Sequence, residues 1–224
     1  MMRVGYTPTD YTFDSFIVGR GNRLAHAIAL RVAANPSEDY NPLFIYSASG
    51  LGKTHLLFAI QHEIEKKHPE FKICHVTAGE LTEEVLSCIR RDNMAELHDK
   101  YRSCDVLLVD DVHVLCGKPA TQEEFLRIFD AMYTAGKQIV ISGSEETRGL
   151  EHLYDGLKSR FEKAIFADIQ TPDFEARAGI IRHKAARVHF DITDTMVKRM
   201  AAHLTEDVRL IEGAVNKLDF SRRL

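Results

Sequence analysis

Apolar residues follow two rhythms along this chain. Unbroken apolar runs occur at PLFIY (Pro42 to Tyr46), DVLLVDD (Asp105 to Asp111) and KQIVIS (Lys137 to Ser142), with weaker ones at FKICHV (Phe71 to Val76) and AIFADI (Ala164 to Ile169). Runs that are apolar on both sides of the chain predict buried strands of a parallel sheet. Around them, apolar positions recur at helical spacing in RLAHAIALRVAAN, KTHLLFAIQHEIEKKH, ELTEEVLSCIRR and TQEEFLRIFDAMYTAG. Strand alternating with helix predicts right-handed βαβ units and an open sheet covered on both faces, with ligands at the carboxyl ends of its strands.

After Pro172 the strands stop. DFEARAGIIRHKAARVH, DTMVKRMAAHL and DVRLIEGAVNKL read as three successive helices, with Asp173, Thr193 and Glu206 or Asp207 as their capping residues. The expected organisation is an α/β domain over residues 1–171 and a small helical domain over 172–224. The chain ends at SRRL directly after a helix pattern, without Gly or Pro punctuation, so a longer parent is expected.

Composition narrows the picture. A chain of 224 residues with 45% hydrophobic content can bury a substantial core. Its 33 acidic and 29 basic residues are mixed and leave a net charge of -4, so any DNA contact must be local. Cys74, Cys88, Cys104 and Cys116 form no C-x-x-C pair, which argues against zinc and against a disulfide framework and suits a reducing cytosol. They are expected to be small buried apolar residues. No H-E-x-x-H occurs among the eleven histidines. The absence of a signal-like segment or long apolar span places the expected protein in the cytoplasm, with no membrane partner.

The candidate chemistry starts at SASGLGKTH, Ser47 to His55, between an apolar run and a helical pattern. The spacing is that of a phosphate-binding loop, G-x-x-x-x-G-K-[ST], with Ser47 in place of the first glycine. Gly50 and Gly52 let the backbone approach phosphate, and the loop N–H groups and helix start face the anion. Lys53 would reach the β and γ phosphates, and the Thr54 hydroxyl would hold Mg²⁺. Ser47 is tolerable if its backbone is ordinary and costs about 1 kcal/mol if its φ is positive. In LLVDD, Asp110 and Asp111 end an apolar strand, where paired acids call for a cation. Asp110 is the expected Mg²⁺ partner and Asp111 the residue that orients the attacking water.

These strings resemble the AAA+ ATPase module of the DnaA family of bacterial replication initiators, from Tyr11 to about Leu218. YTFDSFIVGRGNRLAHA resembles the family's opening segment, which implies that Ile17, Val18 and Asn22 line an adenine pocket. YNPLFIYSASGLGKTHLL resembles its Walker A strand and loop, so Ser49, Gly50, Leu51, Gly52, Lys53, Thr54 and His55 are the implied ATP or ADP contacts. DVLLVDDVHVLCGK resembles its Walker B, TQEEFLRIFDAMYTAGKQIVIS its sensor strand and preceding helix, and ADIQTPDFEARAGII the start of its lid. The resemblance further implies an AAA+ P-loop fold with a small helical lid. LKSRF places Arg160 as an arginine finger reaching a neighbouring subunit's γ-phosphate, and DVRLIEGAV places Arg209 as the sensor II residue of its own subunit. A planar guanidinium suits both tasks.

Four departures stand out. Ser47 replaces a glycine, Ser144-Glu145-Glu146-Thr147 stands where the family has Asp-Arg-Pro-Pro, and Gly156 replaces an arginine four residues before Arg160. The family's partner-binding and duplex-reading helix-turn-helix domains are not in these residues, so origin duplex DNA is expected only through a domain outside them. Single-stranded DNA is the implied partner of Leu81 to Arg91 and Cys116 to Thr121, with Arg90, Arg91 and Lys118 at phosphates and Leu86 at bases or sugars. The leading expectation is an ATP-driven, head-to-tail assembling module of a replication initiator with slow, Mg²⁺-dependent hydrolysis as its switch. A helicase loader or initiator regulator, and a catalytically silent nucleotide-binding scaffold, are the alternatives.

Overall fold

The computed structural model describes residues 9–144, 152–205 and 207–223. Five parallel strands form one sheet: β1 (Leu43–Tyr46), β2 (Ile73–Thr77), β3 (Val106–Asp110), β4 (Gln138–Gly143) and β5 (Ile165–Asp168), in the order β2-β3-β4-β1-β5. All five apolar runs of the sequence are strands. The registers, such as Leu43 beside Val140 and beside Ile165, leave every strand's carboxyl end on the same edge.

Helices cover both faces. On one, α1 (Arg23–Ala34) and α2 (Lys53–Lys67) bury Ile28, Val32, Leu57 and Ile60 against Ile45, Leu108 and Val140. On the other, α3 (Ala78–Arg90), α4 (Met94–Arg102), α5 (Pro119–Thr134) and α6 (Asp155–Phe161) surround Leu107, Val109 and Ile141 with Val85, Phe125 and Phe129. Strand residues thus point alternately into two cores, which is why the runs show no polar face.

Local chemistry sets the helix ends. Thr77 and Glu80 form a reciprocal capping box at the start of α3, and Pro119 opens α5 at a position where its missing N–H is no loss. Two helices escaped the sequence reading. In α4 the surface is largely polar and Leu97 and Tyr101 turn inward with Met94 half-buried beside them, while α6 has seven residues and includes a glycine.

Beyond β5, α7 (Phe174–Arg187), α8 (Asp194–His203) and α9 (Val208–Arg223) form the helical lid around their own cluster of Ala178, Ile181, Val197, Ile211 and Val215. Asp173 and Thr193 accept the N–H groups of Ala176 and Met196, as caps do. The last helix runs past Leu218 and includes Ser221 and Arg222.

The cysteines require a correction. Cys74 and Cys104 form a disulfide, with Cα atoms 6.0 Å apart, whereas Cys88 and Cys116 are free. β2 and β3 are adjacent and start side by side, so the sheet joins residues thirty apart that spacing alone leaves unrelated. No helix among the described residues is long and apolar enough to cross a membrane.

Candidate functional site

The loop from Ser47 to Gly52 leaves β1 at the carboxyl edge of the sheet and ends at the first turn of α2. Ser47 is fully buried, and its N–H donates to the Gly143 carbonyl at 3.3 Å. It is not among the residues with positive φ, so serine replaces glycine here without left-handed strain. Gly50 and Gly52 do lie in the left-handed region, at φ 79° and 109°. A Cβ on Gly50 would collide with the Asp207 carboxylate, and one on Gly52 would lie 3.1 Å from the Phe16 ring. Only glycine fits these two places.

Lys53 is buried and turned back along the loop. Its Nζ donates to the carbonyls of Ser47 at 3.0 Å and Ala48 at 3.2 Å, with the Ser47 hydroxyl at 3.3 Å. The ammonium is therefore held inside the loop, where a phosphate oxygen would replace weaker carbonyl partners. Thr54 donates its hydroxyl to Asp110 Oδ2 at 2.6 Å. Asp110 is 3% exposed, and Ser142, at the end of β4, donates to its other oxygen.

Ser142 has a second task, accepting the Asp111 N–H at 3.0 Å. That contact holds Asp111 at φ 58°, a left-handed conformation costly for a residue with a side chain. The turn swings Asp111 away from its neighbour, so that its half-exposed carboxylate lines the cavity while Asp110 stays behind Thr54. Burial and the adjacent Asp110 charge push the Asp111 carboxyl above the usual carboxylate range, and His113 and Lys53 oppose them.

The cavity of about 330 Å³ sits over this edge. The loop forms its floor from Ser49 to His55, Ile17 and Asn22 form one side, and Arg209 enters from the lid. Asn22 shapes its own segment, accepting the Gly19 N–H at 2.8 Å and donating to the Ile17 carbonyl at 3.0 Å. Val18 does not line this cavity: it is 43% exposed and faces an adjoining groove with Ile17, Arg23 and Phe174. Arg160 also lies outside the cavity, on α6, where it pairs with Asp130. Glu145 to Thr147 fall outside the described residues.

Several wall residues were missed by the sequence reading. Tyr11 and Phe16 belong to a strap before α1 that His55 anchors to α2: its ring stacks on Tyr11 at 4.7 Å, and Nε2 lies 2.9 Å from the Thr12 carbonyl. Burial holds the His55 pKa down to about 4, so the ring is neutral near pH 7. Asp10 at the start of the strap pairs with Arg187 of α7. Nothing in the local spacing marks these residues, since strap, loop and lid meet only after folding. Ser142 had a clearer signal, ending an apolar strand beside the acidic pair.

The donor set fits a nucleotide with a divalent cation. A deep hydroxyl and carboxylate stand 2.6 Å apart as hard oxygen ligands, beside an ammonium and two glycines that clear the backbone for an anion.

Comparison with known proteins agrees. Residues 8–168 match the family described as the bacterial DnaA ATPase domain. The chromosomal replication initiator protein DnaA of Caldanaerobacter subterraneus subsp. tengcongensis is 45% identical over 208 residues, 93% of this chain and 47% of the relative. This chain spans about half the length of the curated relatives it matches. The crystal structure of domain III from the Thermotoga maritima replication initiation protein DnaA superposes with a TM-score of 0.92 at 35% identity, covering 96% of this chain and 90% of that one. A replication initiator DnaA bound to AMPPCP and single-stranded DNA gives 0.87 at 33% identity, covering 95% and 66%.

Proposed function

This chain belongs to the bacterial DnaA ATPase domain family, and from that premise we propose that it is the ATP-responsive assembly module of a cytoplasmic replication initiator. The observation that carries the reading is the meeting of Lys53, Thr54, Asp111 and Arg209 around one cavity, with Asp110 bonded to Thr54 behind them, drawn from the start of α2, the end of β3 and the lid.

The loop N–H groups and Lys53 bind the phosphates of ATP or ADP, and Ile17 with Asn22 forms the side against which the base rests. Thr54 and Asp110 would hold Mg²⁺, which would offset the charge of the bound phosphates. Asp111, turned into the cavity by Ser142, orients water, and Arg209 contacts the terminal phosphate from the lid. Hydrolysis is slow and serves to reset the module. This arrangement favours a live site over a silent scaffold, and the family match favours an initiator over a loader or regulator.

ATP bound in one subunit is touched by Arg160 of the next, which gives head-to-tail assembly. Single-stranded DNA lies along α3, where Leu86 and Ile89 are 45% and 48% exposed and Arg90 ends the helix. Lys118 adds charge nearby, whereas Arg91 pairs with Glu96. A relative's complex with single-stranded DNA supports this role.

Equilibrium titration with ATP and ADP, with and without Mg²⁺, tests the site. Wild type binds both and Lys53→Ala neither. Identical titrations at millimolar nucleotide would remove the basis of the proposal.

A further inference from the structure

Helices α5 and α6 meet along two matched turns. Leu126 and Asp130 are four residues apart on α5, as Gly156 and Arg160 are on α6, so each pair lies along one helix face. At the first turn Gly156 is close-packed: a Cβ there would lie 2.7 Å from Leu126 Cδ2 and 3.0 Å from the Tyr154 ring. One turn later Arg160 forks onto Asp130, with Nε 2.9 Å from Oδ1 and Nη2 2.9 Å from Oδ2. The missing side chain at 156 leaves that space to Leu126 and Tyr154, one turn before the fork.

The fork uses one edge of the planar guanidinium. Among the described residues Nη1 makes no hydrogen bond, which leaves Nη1 and the second Nη2 hydrogen as an intact edge for another pair of oxygens. Arg160 and Asp130 side chains are 36% and 44% exposed, so the pair adds little to folding stability. Its value lies in orientation, since an arginine fixed in advance loses less rotamer freedom when it docks.

We propose that Asp130 is the positioning residue of the Arg160 finger, holding the guanidinium so that its open edge meets the phosphoryl oxygens of a nucleotide in the adjoining subunit. This rests on the finger reading given under Proposed function. Gly156 belongs to the same contact, because a side chain there would have to displace the Leu126 tip and the Tyr154 ring one turn before the fork.

The test is sedimentation of the 224-residue chain with a slowly hydrolysed ATP analogue or with ADP, together with nucleotide affinity of the dilute monomer. Asp130→Ala is expected to weaken analogue-dependent self-association roughly tenfold, the scale of coupling between contacting charged groups. Asp130→Asn, which keeps one acceptor, falls between Asp130→Ala and wild type. Monomer nucleotide affinity and ADP-state sedimentation stay as in wild type for both. Arg160→Ala loses assembly, and adding Asp130→Ala to it changes nothing further. If Arg160→Ala loses assembly while Asp130→Ala and Asp130→Asn both assemble like wild type, the positioning role is overturned and the finger reading stands. If Arg160→Ala assembles like wild type, or wild type does not assemble with the analogue, the finger reading fails and takes this inference with it.

Discussion

The N–H of Val208, which opens the last helix, donates to the carbonyl of Gly50 at 3.3 Å, so the lid is fastened to the phosphate-type loop through main-chain atoms. Beside it Arg209 forks onto Asp207, with Nη2 2.7 Å and Nε 3.0 Å from Oδ2. That fork holds the guanidinium over the cavity and keeps the Asp207 carboxyl below the usual carboxylate range. Arg209→Ala should therefore weaken ATP binding by roughly tenfold, and ADP binding by much less. Calorimetric titration checks this, and equal losses for both nucleotides would count against contact with the terminal phosphate.

Ser47 permits a prediction opposite to the one its place in the motif suggests. Its φ lies outside the left-handed range, so restoring the motif glycine relieves nothing and adds freedom to the unfolded chain. Ser47→Gly is expected to keep nucleotide affinity and to lose about 0.5–1 kcal/mol of stability in a urea titration. A gain in stability would mean that the serine is strained after all.

Asp111 should separate binding from turnover. Its carboxylate lines the cavity but Thr54 pairs with Asp110, so Asp111→Asn leaves ATP affinity within a few-fold. Single-turnover hydrolysis is expected to slow by about 10²-fold or more, the usual contribution of a positioned acid or base. Parallel loss of affinity and rate would assign Asp111 a structural part.

Asp173 links the lid to pH. It accepts the Ala176 N–H at 2.8 Å and the Arg20 N–H at 3.3 Å, and these bonds depress its pKa. A carboxyl whose folded pKa is depressed stabilises fully above its unfolded value, about 4, and that contribution fades as pH falls through the folded value. Asp173→Ala should cost about 1 kcal/mol at pH 7, as lost caps do. The gap between mutant and wild-type melting curves should narrow below about pH 4. A constant gap would place the effect in packing instead.

The strands were legible because each is buried on both faces, and hydrophobic runs bounded by loops report that directly. Lys53, Thr54, Asp110 and Asp111 were legible because their spacing follows from strand–loop–helix geometry. What could not be read depends on which distant parts meet. Asp130 lies thirty residues before Arg160, and nothing around LKSRF announces the fork between them. Val18 and Ile17 look equivalent in sequence, yet only Ile17 lines the cavity as well as the groove they share. The Cys74–Cys104 link likewise follows from strand order, which no cysteine spacing encodes.

The buried centre of the lid's separate cluster is three alanines, two isoleucines and two valines, ringed by half-buried residues such as Phe190 and Leu204, and it holds far fewer buried side chains than either core under the sheet. Less apolar area is withdrawn from water when α7, α8 and α9 come together than when either core forms, so these helices are expected to open first. Their amide hydrogens would then trade with solvent by a local excursion that leaves the sheet folded. A ligand spanning Arg209 and the loop would suppress that excursion in proportion to its occupancy, so the protection of one small helical layer would record how much nucleotide the protein holds.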